Sequence, residues 1–286
     1  MEIIHNVFDW IGIPILVVVF WLIFFIESKL ELRNRVQNKW QRSFINNVVA
    51  IPSFILLRFM FLPAMIWIAL QNSKLEIGIN YWYNLPPLLE GLIAFLILDY
   101  ANYLWHLLNH KIPLLWRFHL VHHTDPDLDL TTAIRFHFGE IVGSLIFRGA
   151  VVFITGGSPL LIIIYEILFE AEILFHHSNI RLPIKAERLL NLLIVTPRMH
   201  GIHHSFYKNE TDSNYSSILS IWDRLHKTAK FNVSQDDIII GVPSYNVRRE
   251  LSVGFLLQLP FSHIRTWSRE YLFRPGEKGE KDVLKE

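Results

Sequence analysis

Three short stretches of the chain concentrate imidazole: "HLLNH" at 106–110, "HLVHH" at 119–123 and "HGIHH" at 200–204. The first places His106 and His110 four residues apart. Each of the others places histidines at i, i+3 and i+4, namely His119, His122 and His123, then His200, His203 and His204. On a helix these spacings gather side chains on one face. With 14 His in 286 residues, independent placement yields the triplet pattern roughly 0.03 times per chain, so two copies point to chemistry rather than composition. Clustered neutral imidazoles are intermediate ligands that suit iron, zinc, copper or nickel rather than magnesium or calcium. Eight of them are too many for one ion and about right for two.

A further arm comes from "FHHSN" at 175–179, with His177 favoured as a ligand and His176 the alternative. In "RFHFGE" (135–140), His137 is either a ligand or a partner of Arg135 and Glu140. Each ligand histidine is expected to donate its other ring N–H to an outer acceptor. Asp99, seven residues before His106 and on the stripe of Tyr103 and His110, is the first candidate; Glu170 stands in the same relation to His177. Asp223 is the third, and Asp125 and Asp129 also lie near the clusters. His5, His226 and His263 lie outside the boxes and read as ordinary amphipathic residues.

The elements that must position these residues are membrane helices. The chain is 51% hydrophobic and 14% aromatic with a positive mean hydropathy, the profile of a membrane protein. A net charge of +1 gives no reason to invoke nucleic acid. The absence of Cys excludes disulfides, thiolate zinc sites, Cys-ligated iron–sulfur clusters and a Cys nucleophile within the chain. "MEIIHNVFDW" lacks a basic n-region, so residues 10–26 read as a retained anchor that spans a bilayer. Lys29, Arg33, Arg35, Lys39 and Arg42 follow and place that loop in the cytoplasm.

Residues 47–70 read as a second span, in which Arg58 must snorkel or pair. A third helix over 88–110, about 35 Å long, brings His106 and His110 to its cytoplasmic end. The apolar region 141–175 is broken by "TGGSP" at 155–159 and reads as a hairpin with arms of about 14–17 residues, returning both ends to one face. Pro113 opens the helix of the first triplet, and Thr196-Pro197 reads as N-cap and N1 of the second. The terminal "RPGEKGEKDVLKE" reads as a disordered charged tail. The expected fold is all-α, a multi-pass membrane helical bundle of about three full spans plus a hairpin, with a cytosolic helical cap carrying the boxes. Its expected regions are anchor helices and cytosolic loop (1–86), a catalytic region (87–230) and a cytosolic C-terminal segment (231–286).

"HLLNH", "HLVHH", "RFHFGE", "FHHSNI", "TPRMHGIHHS" and "NYSSILSIWDRLHKT", in this order and spacing, resemble the fatty acid hydroxylase superfamily, in particular its sterol desaturase branch, over about residues 90–230. The resemblance implies a membrane oxygenase with a di-iron centre facing the cytosol, acting on lipids by O2-dependent hydroxylation, desaturation or ether cleavage. Carried over by position, the two iron ions are expected on His106, His110, His119, His122, His123, His177, His200, His203 and His204. Phe138 follows His137 where members often have proline. The chain has neither a Gly-rich dinucleotide fingerprint nor Cys, so electrons are expected from a separate donor, a cytochrome b5-like protein or a ferredoxin with its reductase, ultimately from NAD(P)H. The substrate is expected to enter from the bilayer of a bacterial inner membrane or endoplasmic reticulum.

Two other classes fit less well. A zinc or iron transporter would place its sites near the membrane midplane, whereas these boxes fall at span ends. A zinc hydrolase typically needs three protein ligands, far fewer than offered.

Overall fold

An uninterrupted apolar run has no polar side chain to end a helix. The chain accordingly begins with a π-turn at Phe8–Gly12 that runs into helix α1 (Ile13–Glu27), whose Val18, Trp21 and Phe25 face outward as lipid-contacting groups do. The structure is a computed structural model and describes residues 7–83 and 86–277. Among these residues it is all helix and loop, with isolated β-bridges and no strand.

Asn38 caps helix α2 (Lys39–Leu56) by accepting from the Trp40 and Gln41 amides, and the helix continues through a π-turn at Leu57–Phe61 into α3 (Leu62–Leu75). This run begins earlier and ends later than the 47–70 span read from hydropathy. Its polar start, with Arg42 and Asn46 buried, is covered by the loop around Asp125 rather than by lipid, so hydropathy is blind to it. Arg58, in the π-turn, pairs with Asp9 in the first π-turn at 2.8 Å.

Helix α4 (Pro87–Lys111) carries "HLLNH" on its last turns, and Pro113 opens α5 (Pro113–His123) with the first triplet. Helices α6 (Phe138–Thr155) and α7 (Pro159–His177) form the expected hairpin, with arms of 18 and 19 residues rather than about 14–17. The arms are longer because both helices run on into box residues, α6 from its His137 cap and α7 through His177. Four helical stretches among the described residues are long and apolar enough to cross a membrane: Phe8–Glu27, Lys39–Tyr83, Pro87–Lys111 and Phe138–Thr155. The protein is therefore an integral membrane protein.

The hairpin turn is held by contact. Gly156 (φ 73°) ends α6, and Gly78 (φ 113°) lies against it so closely that a Cβ on Gly78 would fall 2.4 Å from the Gly156 Cα. Only glycine allows both the left-handed backbone and this approach. The far ends of α3 and the hairpin are thus pinned together, and Met65, Ala69, Leu98, Val152, Ile162 and Tyr165 pack between α3, α4, α6 and α7. All box-bearing ends are left at the opposite end of the bundle.

That end is closed by α5 and by the chain beyond residue 178, including α8 (Pro197–His203), α9 (Ile221–His226) and α10 (Val253–Gln258). Val242, Tyr245, Leu256 and Leu259 cover Leu120 and Val121 of α5. The basic loop read as a topological marker is also part of this closure. Arg33 is buried, with its guanidinium donating to Gln235 Oε1 (2.7 Å) and the Pro197 carbonyl (3.2 Å), and Arg42 reaches Asp125 at 2.5 Å. The start of the tail is ordered, contrary to expectation: Arg274 pairs with Glu210 at 2.8 Å and Glu277 with Lys230 at 2.5 Å. Residues 278–286, like His5, lie outside the described residues.

Candidate metal centre

Nine imidazoles converge between the end of α4, α5, the end of α7 and α8. They fall into two groups, His106, His110, His119, His123 and His203, and His122, His177, His200 and His204; within each, the ring nitrogens offered all lie within 4.8 Å of one another. The i, i+3, i+4 spacing explains the division. From α5, the i, i+4 pair His119 and His123 joins the first group and His122 the second. From α8, the i, i+4 pair His200 and His204 joins the second group and His203 the first. Each triplet is shared between both groups, in crossed fashion.

Nitrogen spacing and protonation both suit cations. Nε2 atoms are separated by 3.0 Å in His122/His177 and His177/His200, by 3.1 Å in His200/His204 and by 3.2 Å in His119/His123. Two imidazoles bound at ~2.1 Å to one ion at right angles stand about 3 Å apart. Nδ1 of His106, His177 and His203 lies 2.9, 2.8 and 2.7 Å from the carbonyls of Tyr215, Ile173 and Ser213. A carbonyl only accepts, so Nδ1 carries the proton and Nε2 offers its lone pair inward. Burial, and then the neighbouring histidines, hold His122, His123, His200, His203 and His204 well below the usual imidazole range, in the neutral form a metal needs. Nε2 of His203 and both ring nitrogens of His110 are buried without a hydrogen-bond partner among the described residues. Facing lone pairs cannot satisfy each other, so the donor set fits bound metal ions.

The outer contacts differ from those read in sequence. Asp99 touches no histidine; it accepts from the Ile218 and Leu219 amides (3.3 and 3.1 Å) and Trp222 Nε1 (2.7 Å), anchoring the segment before α9. Asp223 acts one step removed, accepting from the Tyr215 and Ser216 amides (2.8 and 2.9 Å) and so fixing the loop whose Tyr215 carbonyl holds His106. Glu170 lines a cavity beneath the centre rather than meeting His177, whose Nδ1 is taken by its own helix. Asp125 and Asp129 serve Arg42 instead. The carboxylate that does reach a ring is Glu140, 3.1 Å from His119 Nδ1. Its signal was present in "RFHFGE", an acid opening an apolar helix, but sequence distance tied it to His137.

His137 stands outside both groups. Its Nδ1 accepts from the Gly139 amide (3.0 Å) as the N-cap of α6, and its Nε2 faces the Leu257 carbonyl (3.2 Å). His176 is also outside them, although its buried ring lies 4.2 Å from that of His200. His226 stacks on Tyr103 at 5.0 Å, apart from the centre.

A cavity of about 100 Å³ opens on His106, His119, His122, His177 and His200 and runs between α2, α4, α6 and α7, walled by groups such as Phe54, Trp105, Ile141, Phe169 and Ile173. A buried set of imidazoles beside a largely apolar cavity can hold metal next to a hydrocarbon chain while the cap excludes bulk water.

Comparison with known proteins agrees with this geometry. Residues 91–228 match the fatty acid hydroxylase family profile. The chain is 30% identical over 190 residues to alkylglycerol monooxygenase of Danio rerio, covering 64% of this chain and 36% of that protein. It is 28% identical over 209 residues to an ornithine lipid hydroxylase of Rhizobium tropici, covering 72% and 60%. It is 26% identical over 142 residues to cholesterol 25-hydroxylase of Mus musculus, covering 49% and 46%. The matched stretch thus spans less than two thirds of each of these relatives. No solved structure matches the chain.

Proposed function

We propose, from the match of residues 91–228 to the fatty acid hydroxylase family, that the chain is a membrane-bound oxidoreductase of that kind, using iron and O2 to hydroxylate or desaturate a lipid. The observation that carries the reading is the crossed pair of histidine groups opening on an apolar cavity between membrane helices. Two iron ions are assigned to the nine grouped histidines, five to one ion's group and four to the other's. Bound there, iron would supply the dioxygen and one-electron chemistry that no side chain provides.

The protein's own residues do the rest. The carbonyls of Tyr215, Ile173 and Ser213 and the carboxylate of Glu140 fix ring tautomers and orientations. The apolar walls hold an acyl or sterol chain in extended contact with the centre, and the cap over α5 keeps bulk water out. Electrons come from a separate donor, a cytochrome b5-like protein or a ferredoxin and its reductase, because the chain has no Cys with which to hold a cluster. The basic-loop end faces the cytosol, in a bacterial inner membrane or the endoplasmic reticulum. A transporter is disfavoured because the histidines sit at helix ends beneath a cap rather than at the midplane.

Alkylglycerol monooxygenases among the relatives favour one second reading within the same chemistry, oxidation beside an ether oxygen. Purified protein is expected to carry about two irons, and cells expressing it should lose an oxygenated or desaturated lipid when His203 is replaced (His203→Ala). Unchanged lipids, or one tightly bound zinc in place of iron, would sink the proposal; release of an aldehyde from ether lipids would select the second reading.

A further inference from the structure

The cavity beneath the histidines does not stay apolar as it deepens. Its walls carry Ser144 and Arg148 on α6 and Glu170 on α7. Arg148 lies eight residues beyond Glu140, roughly 12 Å along the helix, and Glu170 lies seven residues before His177, about 10 Å. Charges at that depth in a membrane bundle are costly unless partnered or functional. Arg148 has one partner, an ion pair with Glu166, and its guanidinium lies over the Phe61 and Phe169 rings at 4.8 and 4.9 Å. That bond occupies one arm of a fork with five N–H donors, and no other protein acceptor takes the rest among the described residues. Glu170 has no hydrogen-bond partner there, although it lines the same cavity.

The charge balance selects the ligand. Arg148 and Glu166 neutralise each other, so an anionic headgroup meets Glu170 with no spare positive charge to receive it, and an ammonium, which has no lone pair, leaves the remaining Arg148 N–H groups without an acceptor. An uncharged group that both accepts and donates, such as a hydroxyl, fits: its oxygen accepts from Arg148 and its O–H donates to Glu170. We propose that Arg148 and Glu170 form a clamp for the uncharged hydroxyl group of the lipid substrate, holding it roughly 10–12 Å from the histidine centre and so selecting the carbon presented there. This rests on the lipid-oxygenase reading above. Both are positioning residues, since neither touches the metal groups.

The test uses full-length, iron-loaded protein in phosphatidylcholine nanodiscs, with thermal unfolding followed as 1-hexadecanol, hexadecane, palmitate or hexadecylamine is added. Hexadecanol is expected to stabilise at concentrations on the order of tenfold lower than the other three, the effect of one hydrogen bond to a charged group. The advantage should vanish in Glu170→Leu, be kept in Glu170→Gln, and vanish in the paired Arg148→Met/Glu166→Met variant, which removes both members of the ion pair together. The clamp is overturned if hexadecane or palmitate matches the alcohol, or if the alcohol's advantage survives in both clamp variants. Iron content and the position of lipid oxidation, measured on the same samples, separate the two ideas. A variant-sensitive alcohol preference without oxidation by the wild type would sink the oxygenase reading alone. Oxidation at the same carbon in every variant would sink the clamp alone.

Discussion

Two buried polar clusters adjoin each other along the chain and are built on opposite principles. The histidine cage ends α5 at His123; two residues later Asp125 begins a latch in which Asp125, Asp127 and Asp129 meet Arg35, Arg42 and Arg135. In the latch every charge finds its opposite, and Asn46, Thr131 and Thr132 take up further bonds to the same carboxylates and guanidinium groups. The cage instead gathers neutral rings whose lone pairs face one another. The latch balances its charges within the folded chain, whereas the cage, built of neutral rings, is complete only with something positive inside it.

The sharpest way to break that contrast is to strip the metal. Chelation should abolish turnover and lower the thermal midpoint, with a stabilisation of about 4 kcal/mol lost if the working metal concentration is a thousand times its dissociation constant. Ferrous iron should restore both. A midpoint indifferent to chelator would mean that the cage, like the latch, sustains itself.

Breaking the latch should cost nearly as much without touching the cage. Arg42→Met leaves Asp125 and Asp129 buried with one cation fewer, and removing one partner from such a pair is expected to cost about 3 kcal/mol. Protein that still folds should keep its full iron content; loss of iron in proportion to stability would show the two clusters to be one unit.

Acid should also act on the latch. Burial alone would raise the Asp129 carboxyl, but Arg42 and Arg35 outweigh it and hold the group well below the usual carboxylate range. Glu27, Lys39, Asp125 and Asp127 face the same cluster. A carboxyl whose folded pKa is depressed contributes stability above its unfolded value, about 3.9, and loses it as pH falls below that. The midpoint should therefore drop as pH falls below about 4, less steeply in Asp129→Asn than in the wild type. Equal slopes would remove Asp129 from the account.

The same contrast explains what could be read from the sequence. The cage was legible because i, i+3, i+4 imidazoles are rare and all nine grouped histidines lie in recognisable boxes; the hairpin was legible because Gly156 and Gly157 precede Ser158 and Pro159. The latch was not, because Arg35 and Arg42 look in sequence like a loop that marks membrane orientation, and only the fold sets them against carboxylates some 90 residues on. The acids were misassigned for a related reason. Helical periodicity puts Asp99 on the stripe of His110, yet α4 turns that stripe toward Trp222 at this depth. Arg148 and Glu170 sat in runs that hydropathy counts as lipid-facing, and only the cavity between α6 and α7 gives them a common direction.

Glu140 is where the two principles meet, a carboxylate that serves the cage rather than a guanidinium. It holds His119 Nδ1 at 3.1 Å and also accepts from Asn109 Nδ2 at 3.3 Å. Glu140→Gln keeps the shape and one acceptor oxygen but removes the charge that makes the ring a stronger donor to metal. The expected cost is the smallest of this series, a fall in iron affinity of roughly 10- to 100-fold, about 1.4–2.8 kcal/mol, with folding unchanged. Competition against a chelator of known affinity would measure it. An unchanged affinity would mean that the backbone carbonyls at Tyr215, Ile173 and Ser213 suffice to orient the cage, and that it needs no charge from the protein.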